Sequence, residues 1–169
     1  GKAIKEKNKK CIFHVDSAQA FGKVKIDVKK SKIDILTLSG HKIHAQKGIG
    51  AIYVNKNINL RPFVLGGGQE KDFRSGTENV AGIMGLKVAT EFMYENLDNR
   101  KKHLENLRDI LISGISKIEN HKFLTTKDGV PNIVTVAFEN IRSEVLLHFL
   151  ESEKIYISTG SACSKGKKS

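Results

Sequence analysis

Thr37-Leu-Ser-Gly-His-Lys-Ile-His-Ala-Gln-Lys-Gly-Ile-Gly-Ala-Ile-Tyr-Val54 is the stretch on which the reading of this chain turns. An apolar run, Ile33 to Leu38, leads into it, and a second β-rich run, Ile49 to Val54, closes it. Between the two sits Lys42, directly after a hydroxyl, a glycine and an imidazole. A surface lysine needs no such setting. A lysine that forms a Schiff base does, because it must be held, partly desolvated, beside groups that bind a cofactor. For Lys42 taken singly, a solvated surface position is the competing reading.

Working outward, short β-rich runs alternate with turns in the first half. Cys11 to Val15 reads as a buried strand ending at Asp16, Lys32 to Leu38 as a second and Ile49 to Val54 as a third. A glycine loop, Gly66-Gly-Gly68, and a charged loop ending in Arg74-Ser-Gly-Thr77 follow. From Glu78 the pattern turns helical. Val80, Ile83, Met84, Val88 and Phe92 recur at helical spacing, and so do Leu104, Leu107, Leu111, Ile115 and Ile118 after a turn-like Asn96-Leu-Asp98. Asn132 to Phe138 then reads as a strand. Ser143 fits an N-cap for a short helix with Val145, Leu146, Phe149 and Leu150 on one face. Ile155 to Ile157 reads as a last strand, running into Ser158-Thr-Gly-Ser-Ala-Cys163. Strands separated by helices imply an α/β architecture. A boundary is expected near Asp98, with residues 1–97 in a larger α/β domain and 98–169 in a smaller one.

The 169 residues, 39% hydrophobic and 28% charged, suit one good core or two small ones. No stretch approaches the ~20 apolar residues that span a bilayer, and the basic start has no apolar segment behind it to make a secretory signal. The net charge of +11 raises a nucleic-acid reading, but residues 1–10 with Lys165, Lys167 and Lys168 account for seven of those charges. Charge at the ends favours solubility and weak polyanion binding rather than a base-reading surface, so no direct nucleic-acid role is expected. Cys11 and Cys163 lie far apart and form no C-x-x-C pair, which argues against a disulfide framework or a structural zinc site and makes a cytoplasmic setting the default.

Three groups of residues carry chemistry. Asp16 ends an apolar strand, where open α/β sheets place ligand-binding groups, and Gln19 lies three residues on. With Ser39, His41 and Lys42 they make the set a pyridoxal phosphate (PLP) site needs: a carboxylate for the pyridine nitrogen, donors for the phenolate and phosphate oxygens, and a lysine. Cys163, among Ser, Thr, Gly and Lys, belongs to no core strand, so its thiol should be accessible and its thiolate favoured by nearby positive charge. Cys11, inside an apolar run, reads instead as a small buried hydrophobe. Arg74-Ser-Gly-Thr77 fits a phosphate contact ahead of a helix, or equally a plain helix cap at Ser75 or Thr77. His14 and His44 lack paired ligand spacing.

Together these residues resemble the cysteine desulfurases of the NifS/IscS type, within the class V aminotransferase-like PLP enzymes. The matching segments are His14-Val-Asp-Ser-Ala-Gln19, Ser39-Gly-His-Lys42 with Lys47-Gly-Ile-Gly50, Gly66-Gly-Gly-Gln-Glu70, Arg74-Ser-Gly-Thr77 and Ser158-Thr-Gly-Ser-Ala-Cys163. They occur in the family's order from about residue 11 to 164. The resemblance implies the back half of an aspartate aminotransferase-like large domain and a small C-terminal α/β domain. It implies that Lys42 holds PLP and serves as acid and base, with Asp16 on the pyridine nitrogen, Gln19 on the phenolic oxygen and Ser39 and His41 on the phosphate. Thr77 would reach the phosphate of the other subunit's cofactor in a homodimer. Cys163 would take sulfur from L-cysteine as a persulfide, release L-alanine, and pass the sulfur to an acceptor such as an iron–sulfur scaffold or a tRNA-thiolation protein.

The chain departs from the family pattern by lacking its phosphate-binding Gly/Thr loop, its ring-stacking histidine and its carboxylate-binding arginine. It therefore reads as part of something longer, and alone it is expected to bind PLP poorly and to be largely inactive. Two other readings stay open: another class V enzyme, such as a selenocysteine lyase or an aminotransferase, or a non-catalytic module that docks a sulfur acceptor.

Overall fold

A computed structural model describes residues 1–126 and 128–160. The chain divides into two compact units, Gly1–His103 and Leu104–Ser169. In the first, helix α1 (Lys2–Lys7) precedes strands β1 (His14–Asp16), β2 (Ile35–Ser39) and β3 (Gly50–Val54), and helix α2 (Val80–Glu95) follows. Helix α3 (Leu97–Ile115) begins in this unit and ends in the next. The three strands form one sheet in the order β1-β2-β3. β1 runs parallel to β2, with Asp16 opposite Thr37, and β3 returns antiparallel, with Gly50 opposite Ser39.

The apolar run of the opening stretch is buried as its composition demands. Ile33, Leu36 and Ile43 are 6%, 4% and 1% exposed, and Met93 and Leu97 complete this core. Burying such side chains contributes about 1.5–3 kcal/mol each. Strand β1 is shorter than the sequence suggests. Cys11 and Ile12 lie before the pairing begins at His14, and Cys11 is exposed rather than a buried hydrophobe. The reason is the partner strand: β2 starts at Ile35, and ahead of His14 it is only the Phe13 carbonyl that still accepts from that side, from the Asp34 N–H at 3.0 Å and the Ile35 N–H at 3.3 Å. The lysine-rich start is also more than a charged end, since it forms α1. From that helix Lys5 reaches the buried carboxylate of Asp34.

Helix α2 is capped by Asn79, whose side chain accepts the Gly82 N–H at 3.0 Å, and not by Ser75 or Thr77. Its helically spaced apolar set faces outward: Val80, Met84, Val88 and Phe92 are 51–66% exposed. The face that packs carries Gly82 and Met93.

In the second unit, β4 (His121–Phe123) pairs antiparallel with β5 (Val136–Phe138), and helix α4 (Ser143–Ser152) follows. The strand read over Asn132 to Phe138 is confined to its last residues, and β4 carried no clear sequence signal. Ser143 is the first helical residue of α4 rather than its cap. Arg142 holds the cap position without a side-chain bond, and its guanidinium turns to Glu144 at 3.1 Å. Ile155 to Ile157 forms no strand: it pairs with no edge among the described residues, and its three side chains are 43–78% exposed.

Candidate active site

The site begins where β2 ends. Ser39 leaves the strand in extended conformation, and Gly40–Ile43 makes one 3-10 turn closed by His44 at φ 69°. This left-handed residue explains His44 as a turn-ender rather than a ligand. Gly40 is glycine for a steric reason. A Cβ there would lie 2.7 Å from the Ile49 side chain and 3.0 Å from the Ile49 carbonyl, which its own N–H binds at 2.9 Å. One residue past Lys42, Ile43 plunges into the core against Gly22 and α2. Gly22 has φ 74°, and a Cβ there would come 2.8 Å from Ile43 and 3.3 Å from Met93. Lys42 is thus held half-buried by a fully buried neighbour on a turn whose two ends are tied down.

Asp16 closes β1 and is exposed, with Oδ1 accepting the Ala18 N–H at 2.9 Å. Ser17 behind it is buried and anchors that bend: its hydroxyl donates to the Thr37 carbonyl at 2.6 Å. Asp16 and Ser39 therefore leave the sheet at the same end of two parallel strands. Ser39 Oγ lies 2.8 Å from His41 Nδ1, so the two groups assigned to an anion are joined in one unit. His14 contacts Thr37 Oγ1 through Nε2 at 3.3 Å and is part of the same sheet end.

Gln19 is exposed, and its Oε1 accepts a hydrogen bond from Lys23 Nζ at 3.0 Å. Sequence reasoning passed over Lys23. Burial, and then the positive charge of Lys42, hold its pKa below the ordinary lysine value, so the two ammonium groups share a neighbourhood. The signal was present as the i,i+4 spacing of Gln19 and Lys23, which becomes informative only with Lys42 beside them.

The glycine loop is stapled to the Arg74–Thr77 segment. Ser75 is buried, its N–H binds the Val64 carbonyl at 3.1 Å, and its Oγ accepts the Gly68 N–H at 3.4 Å. Gln69 Oε1 accepts the Gly76 N–H at 3.0 Å. Thr77 stands exposed just ahead of α2, without the cap bond that Asn79 makes. Among the residues singled out from sequence, the structure brings Asp16, Gln19, Ser39, His41 and Lys42 to one end of the sheet. Cys163 lies outside the described residues.

The aminotransferase class-V model matches residues 1–168, and the chain belongs to that family. It is 45% identical over 159 residues to cysteine desulfurase IscS of Methanosarcina thermophila, which covers 94% of this chain and 39% of the relative. With a cysteine desulfurase of Gluconacetobacter diazotrophicus it shares 44% identity over 157 residues, 92% of this chain and 39% of that one. A solved NifS-like protein superposes with a TM-score of 0.86 at 39% identity, over 94% of this chain and 44% of its own. The chain thus spans about two fifths of the length of the curated relatives it matches.

Proposed function

We propose that this chain supplies the lysine half of a PLP-dependent cysteine desulfurase site, and that the activity it serves removes sulfur from L-cysteine to leave L-alanine. The observation that carries this is the placement of Lys42. It is half-buried on a turn pinned by Ile43, with Asp16 on the neighbouring strand end and the Ser39–His41 pair directly before it. The donor set suits PLP: a carboxylate whose Oδ2 is unbonded among the described residues, an amide, two linked anion-binding groups and a primary amine. Bound PLP supplies an electron sink for breaking a carbon–sulfur bond.

The chain's own residues would act as follows. Asp16 faces the pyridine nitrogen and keeps a proton on it. Lys23, a donor only, takes Gln19 Oε1 and leaves the Gln19 Nε2 hydrogens to donate to the phenolic oxygen. Ser39 and His41 hold the phosphate, and Thr77 extends toward the phosphate of a second subunit's cofactor. Lys42 carries the cofactor and moves the substrate's proton. Cys163 accepts the sulfur as a persulfide, for delivery to an acceptor such as an iron–sulfur scaffold or a tRNA-thiolation protein. The division into residues 1–97 and 98–169 separates the cofactor-binding portion from the portion that bears Cys163.

The test has two readouts. PLP added to the chain and trapped with borohydride should leave a covalent adduct on the Lys42 peptide, absent in Lys42→Ala; an adduct spread evenly over many lysines refutes the assignment. With a complete family fold assembled around it, Cys163→Ser should abolish persulfide formation. Retained amino-group transfer or selenium release in that variant would point instead to an aminotransferase or a selenocysteine lyase. The chain alone is expected to release alanine far more slowly than its longer relatives.

A further inference from the structure

At the end of the sheet opposite Asp16 and Ser39 lies a cavity of about 450 Å³, within the size range of small-molecule sites. It is open to solvent and bordered by α1, the loop ahead of β2 and the end of β3. Val28, Ile33 and Tyr53 give it an apolar and aromatic lining. Its polar groups are almost all donors. The one acid that lines it, Asp34, is already paired: its Oδ2 accepts from Lys5 and from the Phe13 N–H, the latter at 2.8 Å. Lys5 is paired with it, and Nζ also donates to the Cys11 carbonyl at 2.6 Å. Asn55 has its Oδ1 taken by the Asn57 N–H at 3.1 Å, which leaves its amide hydrogens to donate.

Three cations remain, Lys9, Lys29 and Lys32, which make no side-chain hydrogen bond or ion pair among the described residues. The loop that presents two of them is built for it. Asp27 Oδ1 accepts the N–H groups of both Lys29 and Lys30, and Lys32 sits at φ 56°, where a lysine is strained. A cavity with cations and neutral donors beside an apolar, partly aromatic lining selects an anion that carries a flat apolar body. A bare inorganic anion would leave that lining unused, and a cation would meet only repulsion.

We propose that this cavity binds an organic phosphate of the mononucleotide class, its base on Val28, Ile33 and Tyr53 and its phosphates on Lys9, Lys29 and Lys32. This site shares no residue with the Lys42 site and stands independently of its reading. The test is calorimetric titration of the full chain with ATP, adenosine, tripolyphosphate and a short single-stranded RNA. ATP should bind, adenosine should not, and tripolyphosphate should bind more weakly than ATP. Lys29→Gln with Lys32→Gln should weaken ATP by roughly tenfold or more. Gln substitutions at Lys165, Lys167 and Lys168 should leave it unchanged. Tyr53→Leu, which keeps the charges, should lower ATP affinity toward that of tripolyphosphate. Equal affinity for tripolyphosphate and ATP, no response to the Lys29 and Lys32 changes, or tighter binding of RNA than of ATP would each overturn the proposal.

Discussion

Asp34 shows how one residue can set both stability and pH response. The residue is 8% exposed, its carboxylate is bound by Lys5 and the Phe13 N–H, and these bonds hold its pKa below the ordinary value of 3.8. A depressed carboxylate stabilises the fold above its unfolded pKa, and that stability is lost as pH falls through the lower native value. Asp34→Asn should therefore cost about 1–3 kcal/mol at neutral pH. It should also remove part of the acid-induced loss below about pH 4, which urea unfolding across that range measures. A variant whose stability follows the parent at every pH would contradict this. By contrast the Lys25–Asp98 pair, at 2.7 Å, has both side chains about 70% exposed. Its pKa shift carries little stability in water. Asp16, Ser39 and Lys42 were legible one by one because each has a chemical type and a strand-end position; Lys23 was not, because its meaning depends on Lys42 across a turn.

At the scale of elements, two contacts hold the Lys42 turn and α2 in register. Gly22→Ala would force a Cβ into Ile43 and Met93 at a backbone angle that disfavours L residues. It is expected to destabilise by about 1–3 kcal/mol and to loosen Lys42 without touching it. Reduced site selectivity of borohydride trapping at Lys42 in that variant is the check. Asn79→Ala should cost about 1 kcal/mol through the lost cap of α2, read by thermal unfolding. Asn79→Asp should restore it. The cap was missed because Ser75 and Thr77 offer the same hydroxyl chemistry in the preceding turn. Only the fold showed that Ser75 is spent on the glycine loop.

For the whole chain, exposed apolar surface is the telling quantity. Val80, Met84, Val88 and Phe92 of α2 are 51–66% exposed, and Ile155, Tyr156 and Ile157 are 43–78% exposed, although side chains of these types are usually the most buried. Because the urea m-value scales with the area exposed on unfolding, the chain is expected to show an m-value below that of other 169-residue proteins. An m-value typical of that length would show that more surface is buried in solution.

The α/β class, the places of β2, β3 and α2 along the chain and the identity of the strand-end residues were determined by the sequence alone. They depend on local periodicity and on residue type, both of which a linear chain displays. Tertiary structure decided the rest. It ended β1 at the reach of its partner strand and left Ile155 to Ile157 unpaired. It turned the lysine-rich start into a helix that neutralises Asp34. It also set Lys23 beside Lys42. These outcomes depend on which groups meet across the fold, and a side chain's charge, burial and hydrogen bonds are fixed only when the partner that supplies them is in place.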